Sequence, residues 1–188
     1  MELNTILLIG KPGSGKGTQA SLLSESTGWP ITVSGNLFRA LIKGDDHVAM
    51  RMREEHEKGY LAPDWFATYL FQKSILPVPP ESGIIFDGFG RKVPEAKTVI
   101  EVLNWLGRPF RAVHIKVSDE EIVSRLQKRS EVSGRADDHA IEKRLEEFRT
   151  YTEPSVEVFR DANALTEVDG EGSVEDIHAR IRAELGLK

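Results

Sequence analysis

The stretch Gly10-Lys11-Pro12-Gly13-Ser14-Gly15-Lys16-Gly17-Thr18 combines glycines, hydroxyls and a lysine between an apolar run and a helix-like segment. A glycine-rich turn in that place points successive main-chain N–H groups inward, and the helix N-terminus adds partial positive charge. Such a cradle suits phosphate. Gly13, Ser14, Gly15, Lys16, Gly17 and Thr18 are therefore candidate phosphate ligands, with Lys16 a point charge for the outer phosphates of a nucleoside triphosphate. A turn that merely joined strand to helix would need no lysine in that register. The general pattern places Ser or Thr directly after the lysine, on Mg²⁺; here Gly17 stands there and Thr18 follows.

Chemistry on phosphates crowds negative charge, so the remaining candidates are one carboxylate and several arginines. Asp87 closes the apolar run Gly83-Ile84-Ile85-Phe86, where it could hold Mg²⁺ through water or cap the next loop. Arg125 and Arg129 stand four apart, on one face of a helix. They repel unless they share an anion, or unless they belong to a solvated charged face with Glu120 and Glu121. Arg39, Arg91, Arg135 and Arg144 complete the set; taken alone, Arg39 reads as a solvated helix residue.

The elements that must position these groups alternate along the chain. Leu3–Ile9, Ile31–Val33, Ile84–Phe86, Ala112–Val117 and Ala164–Val168 are short, apolar and rich in β-branched residues, as strands are. Helical spacing connects Leu37, Phe38, Leu41 and Ile42, then Trp65, Phe66, Tyr69 and Leu70 after Pro63-Asp64, then Val174, Ile177, Ile181 and Leu185. The alternation predicts a five-stranded parallel sheet covered by helices on both faces, an α/β P-loop fold, with ligands beyond the carboxyl ends of the strands. With 188 residues the chain is one domain's worth, burying about 70% of its unfolded surface. A net charge of −5 argues against nucleic acid as a partner. The absence of cysteine excludes a disulfide frame and a thiolate zinc site. No apolar run approaches a membrane span, and Met1 leads straight into the first strand without room for a signal peptide, so a cytoplasmic protein is expected.

The loop G-x-P-G-S-G-K-G-T-Q resembles that of the adenylate kinase family of nucleoside monophosphate kinases, and the likeness extends along nearly the whole chain. Ser34-Gly35-Asn36-Leu37-Phe38-Arg39 is similar to the family's T-G-D-M-L-R, and Gly59-Tyr60-Leu61-Ala62-Pro63-Asp64 to its G-x-L-V-P-D. Asp87-Gly88-Phe89-Gly90-Arg91 resembles D-G-F-P-R, Ser133-Gly134-Arg135-Ala136-Asp137-Asp138 resembles S-G-R-x-D-D, and Lys143-Arg144-Leu145 resembles K-R-L. The resemblance implies transfer of the ATP γ-phosphoryl group, as the Mg²⁺ complex, to a nucleoside monophosphate. It implies a monophosphate-binding insertion near 34–63, a short zinc-free lid near 127–137, and a monomer. By the same resemblance Ser34, Gly35, Arg39, Tyr60, Leu61, Ala62, Gly88, Arg91 and Glu95 face the acceptor. Arg125 stacks on the donor base, Gly172 lies in the loop beneath it, and Arg129 meets the triphosphate. Arg135 and Arg144 close over the transferring group, and Asp87 serves the metal's waters.

Three departures matter. Gly90 replaces a proline usually preceded by a cis bond; cis costs about 2.5–4 kcal/mol before other residues, so Phe89–Gly90 is expected trans. The segment from Asp138 to Arg144 is two residues shorter than in the family's usual short-lid members. Glu95 stands where adenylate kinases carry Gln. A Gln amide both donates and accepts, matching adenine; an ionised Glu only accepts, which suits guanine better. AMP is the first expectation for the acceptor and GMP or another monophosphate the rival, with a nucleotide sensor that transfers nothing as the non-enzymatic alternative.

Overall fold

Residue alternation along the strands builds two cores. The structure, a computed structural model, describes residues 2–57, 62–133 and 141–187, with the side chains at 55–57, 129–133 and 141 outside the description. Strands β1 (Thr5–Ile9), β2 (Ile31–Val33), β3 (Ile84–Asp87), β4 (Phe110–Lys116) and β5 (Leu165–Asp169) form one parallel sheet in the order β2-β3-β1-β4-β5. Successive strand residues face opposite sides. Leu7 and Ile9 therefore join Phe86 and Ala112 in one core, while Ile6 and Leu8 join Ile85, Val113 and Ile115 in the other.

Helices α4 (Asp64–Ile75), α5 (Val93–Trp105) and α8 (Glu153–Asp161) cover the first face through Phe66, Leu70, Phe71, Val99, Leu103 and Phe159. Helices α1 (Lys16–Thr27), α6 (Asp119–Ser133) and α9 (Val174–Leu185) cover the second through Ala20, Leu23, Ile122, Leu126, Ile177 and Ile181. The expected doubly covered parallel sheet is the fold observed. Strand ends differ from the sequence reading by one or two residues, and α1 begins at Lys16 rather than Gln19. Ser173 caps α9 by accepting the Asp176 N–H at 3.1 Å, as its residue type foretells.

Two small helices, α2 (Ser34–Leu41) and α3 (His47–Glu57), follow β2. Helix α7 (Ile141–Glu147) runs through a π-helical turn, Phe148–Thr152, into α8. Periodicity alone reveals neither α3 nor the π turn. No helix among the described residues is long and apolar enough to cross a membrane.

Candidate active site

The first strand delivers the chain into the phosphate loop at the carboxyl edge of the sheet. Gly15 carries α1 at its N-terminus with φ 91°, a left-handed conformation that a side chain would strain. Lys16, the first helical residue, donates from Nζ to the Gly10 carbonyl at 2.7 Å and the Lys11 carbonyl at 2.9 Å. Ser14 is buried, with its Oγ 3.4 Å from the same ammonium, while Gly17 and Thr18 are exposed. Asp87 lies beside this loop: a Cβ placed on Gly17 would sit 3.8 Å from Asp87 Oδ2. The sheet register explains the closeness, since Asp87 pairs with Leu8 of β1 on one side and Val33 of β2 on the other. A carboxylate placed beside a phosphate cradle fits Mg²⁺ carried in on the triphosphate, an ion that keeps most of its waters. Among the described residues no three His, Cys, Asp or Glu side chains gather into a protein-only metal cage.

Residues 87–91 are anchored by aromatic packing. Phe86 and Phe89 meet edge-on with ring centroids 5.3 Å apart, and Phe71 packs against both. A fully buried Phe contributes roughly 1.5–3 kcal/mol, enough to fix both ends of so short a segment. The Phe89–Gly90 bond is trans, as expected, and Gly90 makes the turn with φ 69°. Arg91 folds back so that Nε donates to the Gly88 carbonyl at 2.8 Å. That carbonyl also accepts from Ser34 Oγ at 2.8 Å, so Ser34, Gly88 and Arg91 meet at one point. Arg39 is exposed on α2; its guanidinium donates to Asn36 Oδ1 at 2.7 Å and lies over Gly35.

Glu95 is the buried acid of this edge, 5% exposed in the first turn of α5. Its Oε2 accepts the Arg91 main-chain N–H at 3.0 Å, the backward reach of an acid at a helix start. Burial pushes its carboxyl up to about 7, against the lowering effects of the Arg91 N–H and the charges of Arg91 and Lys92. Lys92, which sequence reasoning passed over, joins separate segments. Its Nζ donates to the Ala62 carbonyl at 3.2 Å, pairs with Asp64 at 2.8 Å and lies over the Tyr151 ring. Nothing local in Gly90-Arg91-Lys92 signals those partners.

On the opposite side of the loop, α6 carries Arg125 and Arg129. Arg125 pairs with Glu121 one turn earlier at 2.7 Å, and its second nitrogen donates to the Gly170 carbonyl at 3.0 Å. The charged-face reading thus accounts for part of Arg125's environment, while the Gly170 contact sets it against the loop holding Gly172. Gly172 itself has φ 105°. Arg144 stands half-buried in the last turn of α7. Tyr60, Leu61, Arg135 and the Arg129 side chain lie outside the described residues.

The family model described as adenylate kinase matches residues 8–164. An adenylate kinase of Thermus thermophilus is 35% identical over 185 residues, covering 97% of each chain. One from Leifsonia xyli is 37% identical, covering 94% of this chain and 90% of its own length, and one from Parabacteroides distasonis is 32% identical, covering 94% and 95%. Matched by the family model over residues 8–164 and by relatives 32–37% identical over nearly its whole length, this chain belongs to the adenylate kinase family of nucleoside monophosphate kinases.

Proposed function

We propose that the protein transfers the γ-phosphoryl group of Mg-ATP reversibly to AMP, giving two ADP. The observation that carries this reading is the convergence of Lys16, Asp87 and the Ser34–Gly88–Arg91 cluster at the carboxyl ends of three neighbouring strands. Triphosphate oxygens would take over the Lys16 contacts now made by the Gly10 and Lys11 carbonyls. Asp87 would orient waters on the magnesium of the substrate. Arg91, Arg39 and Arg144 would grip the acceptor phosphate, one of whose oxygens attacks the γ-phosphorus as the bond to the β–γ bridging oxygen breaks. Arg125 would support the donor base, and Arg129 and Arg135 would neutralise the transferring group, the electrostatic work on which phosphoryl transfer depends.

Burial of Glu95 bears directly on the acceptor. A carboxyl titrating at about 7 is protonated in a large fraction of molecules at neutral pH. In that form it donates from one oxygen and accepts at the other, as an amide does. Oε2 keeps a lone pair beyond the one given to the Arg91 N–H, so neutral Glu95 can serve adenine where ionised Glu95 would favour guanine. A coupled assay with Mg-ATP and AMP, GMP, CMP or UMP at about pH 6 and about pH 8.5 tests both statements. AMP should be the best acceptor at the lower pH, with its advantage over GMP shrinking at the higher. Preference for GMP at both would assign the alternative acceptor. Tight ATP binding without turnover on any acceptor would instead mark a sensor.

A further inference from the structure

One ion-paired cluster has no part in the transfer described above. Lys11, inside the phosphate loop, extends its side chain to the end of β4 and the start of α6. Its Nζ donates to the Val117 carbonyl at 2.9 Å and to Asp119 Oδ1 at 2.5 Å. The other Asp119 oxygen takes the guanidinium of Arg149, from the π turn that continues α7. Hydrogen bonds from Lys11 and then Arg149 hold the Asp119 carboxyl below the usual carboxylate range. One carboxylate therefore joins three elements: the phosphate loop, the helix bearing Arg125, and the helical run bearing Arg144.

The main chain carries this cluster to the chemistry. The Lys11 carbonyl accepts from Lys16 Nζ, so the residue that Asp119 holds by its side chain also cradles Lys16 by its backbone. The start of α6 is pinned on its other side as well. Glu171 accepts the Ser118 N–H at 3.0 Å, and Arg125 donates to Gly170. Exposed ion pairs generally contribute little. This one differs in that the Lys11 side chain is only 18% exposed and also bonded to a main-chain carbonyl. We propose that Asp119 is a positioning residue for the donor phosphates: through Lys11 it fixes the resting place of Lys16 in register with the helical run that carries Arg144. The inference rests on the kinase reading.

Asp119→Asn keeps the shape and removes the charge. Separate saturation curves for ATP and AMP, beside the melting temperature, read its effect. The ATP KM should rise about fivefold, the upper end for an exposed pair, while the AMP KM stays within roughly twofold and the melting temperature holds. Lys11→Gln should behave alike, the double variant should be no worse than either single one, and Asp119→Glu should recover part of the loss. An unchanged ATP KM overturns the proposal. So does an equal rise in both KM values with a lower melting temperature, the mark of a pair that only holds the fold. Should the wild-type chain turn over no monophosphate, the kinase reading fails separately. Calorimetry of Mg-ATP binding to the same variants then decides: weakening of about fivefold in Asp119→Asn supports the positioning role, and equal binding overturns it.

Discussion

The halves of this site proposed for the donor and for the acceptor are held by different means. On the donor side the loop main chain does the holding: Gly10 and Lys11 carbonyls place Lys16, and a left-handed Gly15 opens α1. On the acceptor side, side chains reach between elements distant in sequence. Ser34 and Arg91 share the Gly88 carbonyl, Glu95 takes the Arg91 N–H, and Lys92 ties Ala62 and Asp64 to the start of α5. A cradle made of backbone survives most side-chain changes that spare its glycines. An edge made of side chains can be re-aimed by one substitution, and it carries two of the three departures expected from the family pattern, Gly90 and Glu95.

The sharpest test of that division is to remove the charge at the centre of each half. Lys16→Ala and Arg91→Ala should each lower kcat/KM by about 10²–10³-fold, the scale of losing one preorganised electrostatic contact, with the melting temperature nearly unchanged. Lys16→Ala should also raise the ATP KM and Arg91→Ala the AMP KM. If each raised both KM values alike, the two halves would not be separable.

A second test uses Glu95, the buried acid among the described residues, on the edge proposed for the acceptor. Because the native Glu95 carboxyl titrates at about 7 rather than 4.5, the folded chain binds more protons than the unfolded chain between those values. Its contribution to stability is therefore full below the unfolded value, is lost as pH rises through that window, and is flat above it. The loss amounts to roughly 3 kcal/mol at most, taking 1.36 kcal/mol per unit. Glu95→Gln keeps an acceptor for the Arg91 N–H and removes the titration. Urea unfolding between about pH 5 and pH 8 should show the variant gaining on the wild type as pH rises. The same variant should make AMP turnover less sensitive to pH. Parallel stability curves would show that burial does not perturb this acid.

The smallest expected effect lies in the backbone of the acceptor edge. Gly90→Ala would place a Cβ 3.0 Å from the Phe159 ring, in a conformation with φ 69° that side chains rarely adopt. A loss of about 1–2 kcal/mol in unfolding free energy is expected, with a rise in the AMP KM as Arg91 is displaced. An unaltered AMP KM would mean that Arg91 is aimed by Gly88 and Ser34 alone.

How far each feature could be read from the chain follows from how local its cause is. The five strands were legible because apolar β-branched runs declare themselves within a few residues, and the phosphate loop because its glycines and lysine are contiguous. Helix α3 was not, since its polar sequence shows little apolar stripe; Ala49 and Met52 are its buried residues among those described. Arg125 was legible as a helical cation but not as a partner of Gly170, which lies 45 residues away. Glu95 was legible as an acceptor out of place, but its protonation depends on burial, and burial depends on everything packed around it.

By itself, then, the sequence determined the phosphate loop, the parallel sheet and the supply of arginines, because each rests on residue types at short, fixed spacings. Tertiary structure alone decided that Lys11 and Arg149 meet on Asp119, that Lys92 binds the segment ending at Asp64, and that Glu95 turns inward beneath Arg91. The charged contacts of Lys11, Arg149 and Lys92 join residues tens of positions apart, and such encounters form only when the sheet order brings the strand ends together. Glu95 and Arg91 are close in the chain, but the shielding from water that perturbs the acid comes from the fold around them.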